Sequence, residues 1–241
     1  MNEFKRLALI PARGGSKGIV RKNLREVGGR SLLRRAIDIA TKSELFDSVC
    51  VSTDDHEIAK LSRELGASVP FIRPSFLSED ESRTIDVIKH AINHYLSEGT
   101  SFNSLTLLQP TSPFRQLGDL IEAHKIFDSV QCQTLISVQD VTNFHPSTLY
   151  RVQSQISGTS FLVENRDKNM DTGRGTIRQE FETQLWRNGS LYIFRPTSLL
   201  ASSKLLNSPI AAIKMDWIHS INIDSVDDLE LAQRISEAFN I

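Results

Sequence analysis

Leu7-Ala-Leu-Ile-Pro-Ala-Arg-Gly-Gly-Ser-Lys-Gly18, followed by Val20-Arg-Lys-Asn23, decides how the rest of this 241-residue chain is read. Leu7 to Ile10 is a short run of apolar, partly branched side chains, the pattern of a buried strand. Pro11 ends it, and helical spacing returns only near Ser31. Gly14, Gly15 and Gly18 let the intervening backbone turn sharply and approach a ligand closely, because no Cβ intrudes. Successive N–H groups in such a turn form an anion-binding concavity, and Arg13, Lys17, Arg21 and Lys22 add full positive charge. A polyphosphate suits this loop. The spacing is neither that of a P-loop nor the G-x-G-x-x-G dinucleotide fingerprint, and alone it also fits a solvated basic turn.

Beyond the loop, strand and helix patterns alternate. Ser31 to Ala40 has helical apolar spacing with Ser31 placed to cap it. Ser48–Ser52 reads as a strand running into Thr53-Asp54-Asp55, with a helix from about Glu57 to Leu65. Asp54 and Asp55 suit a metal, a ribose or a helix cap, and capping is the default for such residues. Val69 to Ile72 is expected to be a third strand, ending at Arg73-Pro74. A helix from Ile85 to Leu96 carries His90 and His94 four apart. Without the glutamate of H-E-x-x-H, these read as surface or half-buried histidines. Ser104–Gln109 is a strand stopped by Pro110, Leu117 to Val130 a helix, and Thr134–Val138 another strand.

This alternation predicts a parallel sheet covered on both faces, with right-handed crossovers. Ligands of such sheets gather at the C-terminal ends of the strands. The basic loop, Thr53-Asp54, Arg73 and Gln109 all fall at those ends. The pattern breaks between about Gln139 and Leu185, a polar and irregular stretch too long for an ordinary connection. Leu191–Phe194 resumes the sheet, Ile210–Ile213 is a further strand, and Ser225 to Phe239 is a terminal helix capped near Asp224 or Ser225.

Composition narrows the classes. Hydrophobic content of 39% and charged content of 24% suit a soluble globular chain. A net charge of −1 excludes a general nucleic-acid binder, which needs a broad basic face. No run approaches the roughly 20 apolar residues needed to span a bilayer, and Lys5-Arg6 is followed by too short an apolar run for a signal peptide. Cys50 and Cys132 are too few for a disulfide framework or a cysteine zinc site. The expected setting is the cytoplasm, without membrane or nucleic-acid partners.

Five blocks in order carry a resemblance. Ile10-Pro-Ala-Arg-Gly-Gly-Ser-Lys-Gly-Ile19 with Lys22-Asn23 resembles the opening signature of the acylneuraminate cytidylyltransferases, or CMP-sialic acid synthetases. Arg73-Pro-Ser-Phe-Leu-Ser-Glu-Asp80, Leu107-Leu-Gln-Pro-Thr-Ser-Pro-Phe-Arg115, Arg187-Asn-Gly-Ser-Leu-Tyr-Ile193 and Ser220-Ile-Asn-Ile-Asp-Ser-Val-Asp-Asp-Leu229 follow it. The resemblance implies an α/β fold: a Rossmann-like three-layer sandwich with a mostly parallel sheet, of nucleotide-diphospho-sugar transferase type. It implies one cytidylyltransferase domain over 1–241. A protruding arm at about 139–185 would cross to a second subunit and build a homodimer.

The implied reaction is attack by the 2-hydroxyl of a nine-carbon α-keto sugar acid on the α-phosphate of CTP, giving CMP-sugar and pyrophosphate. A divalent ion, Mg2+ or Mn2+, is expected to bridge phosphates and acceptor. By the same resemblance Arg13, Lys17 and Lys22 are catalytic, with Lys17 stabilising the developing charge. Arg13, Gly14, Ser16, Asn23, Arg73, Ser82 and Thr84 hold the nucleotide, although Ser82 and Thr84 also suit a helix cap. Gln109, Arg178 and Asn188 contact the acid, and Asp224 with Asn222 binds the metal. Asp227 and Asp228 read as structural, in a first helical turn that favours negative charge.

Two departures stand out. The family's usual Asp-Ile-Asp is Asn222-Ile223-Asp224 here, so one carboxylate becomes an amide. A lysine common two positions after the proline of His145-Pro146 is Thr148, which leaves the acid open among N-acetylneuraminic, legionaminic and pseudaminic types. The alternatives are a CMP-3-deoxy-octulosonate-type synthetase and a non-catalytic nucleotide- or sugar-binding paralogue.

Overall fold

The computed structural model describes residues 4–142, 149–156, 159–164 and 182–241. In chain order the elements are β1 (Arg6–Pro11), β2 (Glu26–Val27), β3 (Arg30–Ser31), α1 (Leu32–Lys42), β4 (Ser48–Ser52), α2 (His56–Glu64), α3 (Thr84–Ser97) and β5 (Ser104–Leu107). There follow α4 (Leu117–Ser129), β6 (Thr134–Asp140), β7 (Tyr150–Ile156), β8 (Thr159–Glu164), β9 (Leu185–Phe194), α5 (Pro196–Ala201), β10 (Ile210–Lys214) and α6 (Val226–Phe239). They form two compact units, Met1–Val138 with Asn188–Ile241, and Gln139–Arg187.

The first unit is built on a six-stranded sheet of order β10-β6-β9-β5-β1-β4. β1 pairs in parallel with β4 and β5, and β10 with β6, whereas β9 runs antiparallel to β5. Successive side chains of a strand point to opposite faces, and β1 shows what that does here. Ala8 and Ile10 pack with Leu33 and Ile37 of α1, Ile58 of α2 and Phe127 of α4. Leu7 and Leu9 pack on the other side with Ile85, Ile88 and Ile92 of α3 and Leu199 of α5. Helices thus cover both faces, the expected three layers. Strands buried this way read as continuous apolar runs, which is why β1 is fully legible in the sequence.

A third, smaller core joins Ile19 and Val27 to Phe114, Ile223 and, on α6, Leu229, Ala232 and Ile235. Ser225 caps α6 by accepting from the Asp228 N–H, and Asp228 reaches back to the Ser225 N–H, a reciprocal capping box. Asp228 is therefore structural, as its position in the first turn suggests.

The third strand expected at Val69 to Ile72 does not form. Only Ser68 bridges Cys50, exchanging bonds with Val49 and Val51. Pro70 has no N–H to continue the ladder, and Phe71 packs edge-on against both His90 and His94 instead. Those two histidines are half-buried packing residues. A further histidine, His124, is buried and shares a 3.0 Å hydrogen bond with Thr106; burial lowers its pKa to about 4.

In the second unit β7 and β8 form an antiparallel pair with a bulge between Val152 and Ser154. The Val141 N–H donates to the Gln184 carbonyl (2.8 Å). The polar composition hides this hairpin in the sequence. Arg178, like His145, Pro146 and Thr148, lies outside the described residues. Among the described residues no helix is long and apolar enough to cross a membrane.

Candidate active site

Beyond the C-terminal ends of β1, β4 and β5 lies a cleft of ≈ 460 Å³. Its lining is contributed by Pro11, Arg13, Lys22 and Asn23 from the first loop, Arg73, Leu77, Glu79, Asp80 and Ser82 after β4, and Thr84 and Val87 of α3. Gln109, Pro110 and Thr111 after β5, and Asn222 and Asp224 before α6, complete it. Nine of the residues singled out from the sequence meet here: Arg13, Lys22, Asn23, Arg73, Ser82, Thr84, Gln109, Asn222 and Asp224. Gly14, Ser16, Lys17 and Asn188 are not in the lining.

One wall is the basic loop. Arg13 and Lys17 both pair with Asp80, at 2.7 and 2.8 Å, and Lys17 is largely in solvent. Hydrogen bonds from Lys17 and then Arg13 hold the Asp80 carboxyl below its ordinary pKa. Lys17 therefore reaches the cleft through Asp80, a residue to which the sequence pattern assigns no role. The Gly14 N–H donates to Asp54 Oδ1 (3.0 Å), so this amide anchors the loop. A methyl group on Gly14 would stand 2.6 Å from Asp55 Oδ2, too close for any side chain.

The two aspartates left open in the sequence divide their work. Asp55 caps α2, accepting from the Glu57 and Ile58 N–H groups. Asp54 joins the Gly14 amide to Arg73, whose Nη2 lies 3.7 Å from the same oxygen. Arg73 is 4% exposed and its Nε and Nη2 have no hydrogen-bond partner among the described residues. Burial draws its pKa down, and the Asp54 charge opposes that. A buried donor set without acceptors is costly unless a ligand completes it.

The opposite wall is set by backbone and core. Lys22 Nζ donates to the Ile223 carbonyl (3.1 Å) and lies 3.4 Å from Asp224 Oδ1. Asn222 Nδ2 donates to Asp224 Oδ2 (2.6 Å), and the Ile223 N–H donates to the Thr111 carbonyl (2.8 Å). The Asp224 N–H donates to Asp228, so the capping box also orients the acidic residue. Asn23 is buried and donates to the Arg13 carbonyl (2.9 Å), fixing the loop from within.

Three further residues fall differently from a simple contact list. Arg83 occupies the N-cap position of α3 without a side-chain cap, so neither Ser82 nor Thr84 caps that helix; Ser82 Oγ donates to the Phe76 carbonyl. Asn188 is buried, receiving a hydrogen bond from Ser137 Oγ (2.5 Å) and donating to Ser220 Oγ (2.8 Å). Its amide stabilises the start of β9 in the first unit.

A magnesium ion fits this donor set in one respect. Hard divalent ions take oxygen ligands, and magnesium commonly combines one or two carboxylates with substrate phosphates. Asp224 supplies one exposed carboxylate, while Asn222 turns its Nδ2 to Asp224 and its amide oxygen to Ser112, so the amide would have to rotate to ligate beside it. Among the described residues no cluster of three or more acidic, histidine or cysteine side chains forms a complete cage, so phosphate oxygens would have to finish the coordination.

The chain is 32% identical over 237 residues to the N-acylneuraminate cytidylyltransferase of Escherichia coli O18:K1:H7, covering 98% of this chain and 53% of that protein. It thus spans about half the length of that relative. It is 30% identical over 236 residues to the CMP-N,N'-diacetyllegionaminic acid synthase of Legionella pneumophila, covering 96% of each. It is 29% identical over 232 residues to the pseudaminic acid cytidylyltransferase of Campylobacter jejuni, covering 95% of each. In fold it is similar to the solved structure of CMP:2-keto-3-deoxy-manno-octonic acid synthetase complexed with CTP, with a TM-score of 0.71 and 17% identity, covering 98% of this chain and 100% of that one. The cytidylyltransferase family model matches residues 7–167, from the first residue of the opening motif through the cleft segments after β4 and β5. With the motif, the fold and the relatives in agreement, this chain belongs to the cytidylyltransferase family.

Proposed function

We propose that this chain couples CTP to a nonulosonic, sialic-acid-like sugar acid, releasing pyrophosphate, and that it does so in the cytoplasm as a magnesium-dependent homodimer. The observation that carries the reading is the convergence of nine motif residues, from positions 13 to 224, on one cleft. Three of the relatives named above have sialic-type acids in their names, which favours such an acid over 3-deoxy-octulosonate; the likeness to the octulosonate enzyme is one of fold.

The chemistry is a displacement at phosphorus. The acceptor hydroxyl oxygen bonds to the α-phosphorus, the bond to the bridging oxygen breaks with its electrons on pyrophosphate, and the hydroxyl proton passes to solvent. Positioning and charge neutralisation dominate such transfers. Arg13 and Lys17 exchange the Asp80 carboxylate for phosphate oxygens, and Lys17 meets the charge that develops. Lys22, fixed over Ile223, presents a stationary ammonium. Arg73 offers its buried, unpartnered N–H groups to the nucleoside end. Gln109 faces the acceptor. Magnesium held by Asp224 and Asn222 would neutralise phosphate charge.

The dimer is supported by the second unit. Leu149, Tyr150, Val152, Leu185 and Trp186 are all exposed there, and a lone two-stranded hairpin is marginal in water. A second copy would cover that apolar surface.

The test is pyrophosphate release from CTP across a panel of keto-sugar acids, with nucleotide binding followed in parallel. Turnover with a nine-carbon acid is expected. Turnover with 3-deoxy-octulosonate alone transfers the assignment to that reaction, and CTP binding without pyrophosphate makes the chain a binding protein.

A further inference from the structure

β5 and β9 pair in register from Leu105 opposite Phe194 to Leu107 opposite Tyr192. Continued two residues, the same register would set Gln109 opposite Ser190. The pairing stops at Leu107 opposite Tyr192, two residues short of that position. Two backbone carbonyls there face the Arg115 guanidinium: that of Ser190, which is buried, and that of Gln109, which also accepts from the Ser112 N–H (3.3 Å). Nε and Nη2 donate to the Ser190 carbonyl (2.8 and 2.5 Å), and Nη2 also donates to the Gln109 carbonyl (3.0 Å).

This is an unusual use of an arginine. Arg115 is 7% exposed, and burial pulls its pKa to about 10, so it stays cationic at neutral pH without a carboxylate among the described residues to balance it. An apolar side chain is often as stable as a buried charge, or more so. Stability is therefore a poor reason for this choice, whereas a rigid planar fork that spans two carbonyls is a good one.

The beneficiary is Gln109. Its side chain lines the cleft and makes no hydrogen bond with other described residues, so its place follows from its backbone and from the room around it. That room is kept by Gly189, at φ +79°, where a Cβ would stand 3.3 Å from Gln109 Oε1. The facing strand is itself fixed, because Asn188 Oδ1 accepts from both Ser137 Oγ and the Ser190 N–H.

We infer that Arg115 is a positioning residue for the acceptor substrate: by bridging β9 and the segment after β5 it sets where the Gln109 amide stands, in space that Gly189 leaves open. The inference rests on the proposed function, in which Gln109 meets the sugar acid.

The experiment compares Arg115→Met, Arg115→Lys, Gln109→Ala and the double variant Arg115→Met/Gln109→Ala, measuring kcat and the KM of each substrate. Arg115→Met should raise KM for the acid about tenfold, since small misplacements of a contact group are expensive, and leave KM for CTP unchanged. Gln109→Ala should do the same, and the double variant should be no worse than either. Additive effects in the double variant, or equal rises in both KM values, overturn the inference. Should Arg115→Met fail to fold, Arg115→Lys decides: a lysine cannot bridge the carbonyls with a planar fork, so an intermediate acid KM is expected and an unchanged one overturns the idea. If the wild-type chain turns over no acid, the functional reading fails separately. The side-chain amide resonance of Gln109 then decides, expected to move in Arg115→Lys and overturning the inference if it stays.

Discussion

The two walls of the cleft carry similar charges in different settings. On one, Arg13 and Lys17 meet Asp80 at short range but near water, and Lys17 is 83% exposed. On the other, Lys22 is only 17% exposed and bonded to a backbone carbonyl, while the neighbouring Ile223 is wholly buried in the third core. Exposed ion pairs are screened and entropically loose. A group held by backbone and core is already oriented when the substrate arrives, the condition under which electrostatic stabilisation is most effective. The first wall can rearrange, and the second is a fixed reference against which the substrate is placed.

The sharpest way to break the comparison is Lys22→Ala. Loss of a fixed cation should lower turnover roughly 100- to 1,000-fold, in line with removal of a preorganised donor. The lost hydrogen bond to Ile223 should also lower the melting temperature by about 2–4 °C. Unchanged turnover would show that the fixed wall is scaffolding. Lys17→Ala comes next: turnover should fall roughly tenfold, with no change in melting, since this side chain supports no core. A melting loss in proportion to the activity loss would make its role structural.

Asn222→Asp tests the fixed wall more gently. A second carboxylate beside Asp224 should lower the magnesium concentration needed for half-maximal activity and tighten Mg2+ binding measured by calorimetry. An unchanged titration would place residue 222 away from the ion. The smallest effect belongs to Asp80→Asn, which frees Arg13 and Lys17 and should lower KM for CTP by a few-fold at most, less at high salt. The lowered Asp80 pKa fixes the sign with pH: its pairing persists at neutral pH and is lost only as pH falls through the depressed value. KM for CTP should therefore show no Asp80-dependent change with pH between about pH 6 and 8, and a wild-type pH profile that differs in shape from that of Asp80→Asn in that range would refute the assignment.

Much of the scaffold was legible because its signals are local. The apolar run of β1, the Ser31 cap of α1 and the Ser225 cap of α6 each declare themselves within a few residues. Of the nine expected site residues that converge, those of the first loop and Gln109 do so because strand ends meet in a sheet of this kind. Thr84 comes instead from α3, and Asn222 and Asp224 from the segment before α6. What stayed hidden depends on distance along the chain. Asp54 finds Gly14 across 40 residues, Arg13 finds Asp80 across 67, and Arg115 finds Ser190 across 75. No spacing rule reports such pairs. Val69 to Ile72 misled for the opposite reason: its apolar run suggested a strand, but Pro70 and the pull of Phe71 toward two histidines outweighed that local signal. The β7–β8 hairpin stayed hidden because the alternation of Tyr150, Val152 and Ile156 with polar neighbours is short and set in a long polar stretch.

The small core that joins Ile19 to Ile223 and α6 has a consequence for biosynthesis. A ribosome delivers the glycine-rich entrance early and the helix that braces it more than 200 residues later. A nascent chain that has extruded only the earlier strands therefore has half a vice. Until α6 docks, nothing brings Lys22 and Asp224 face to face, so the two walls of the cleft meet only late in synthesis.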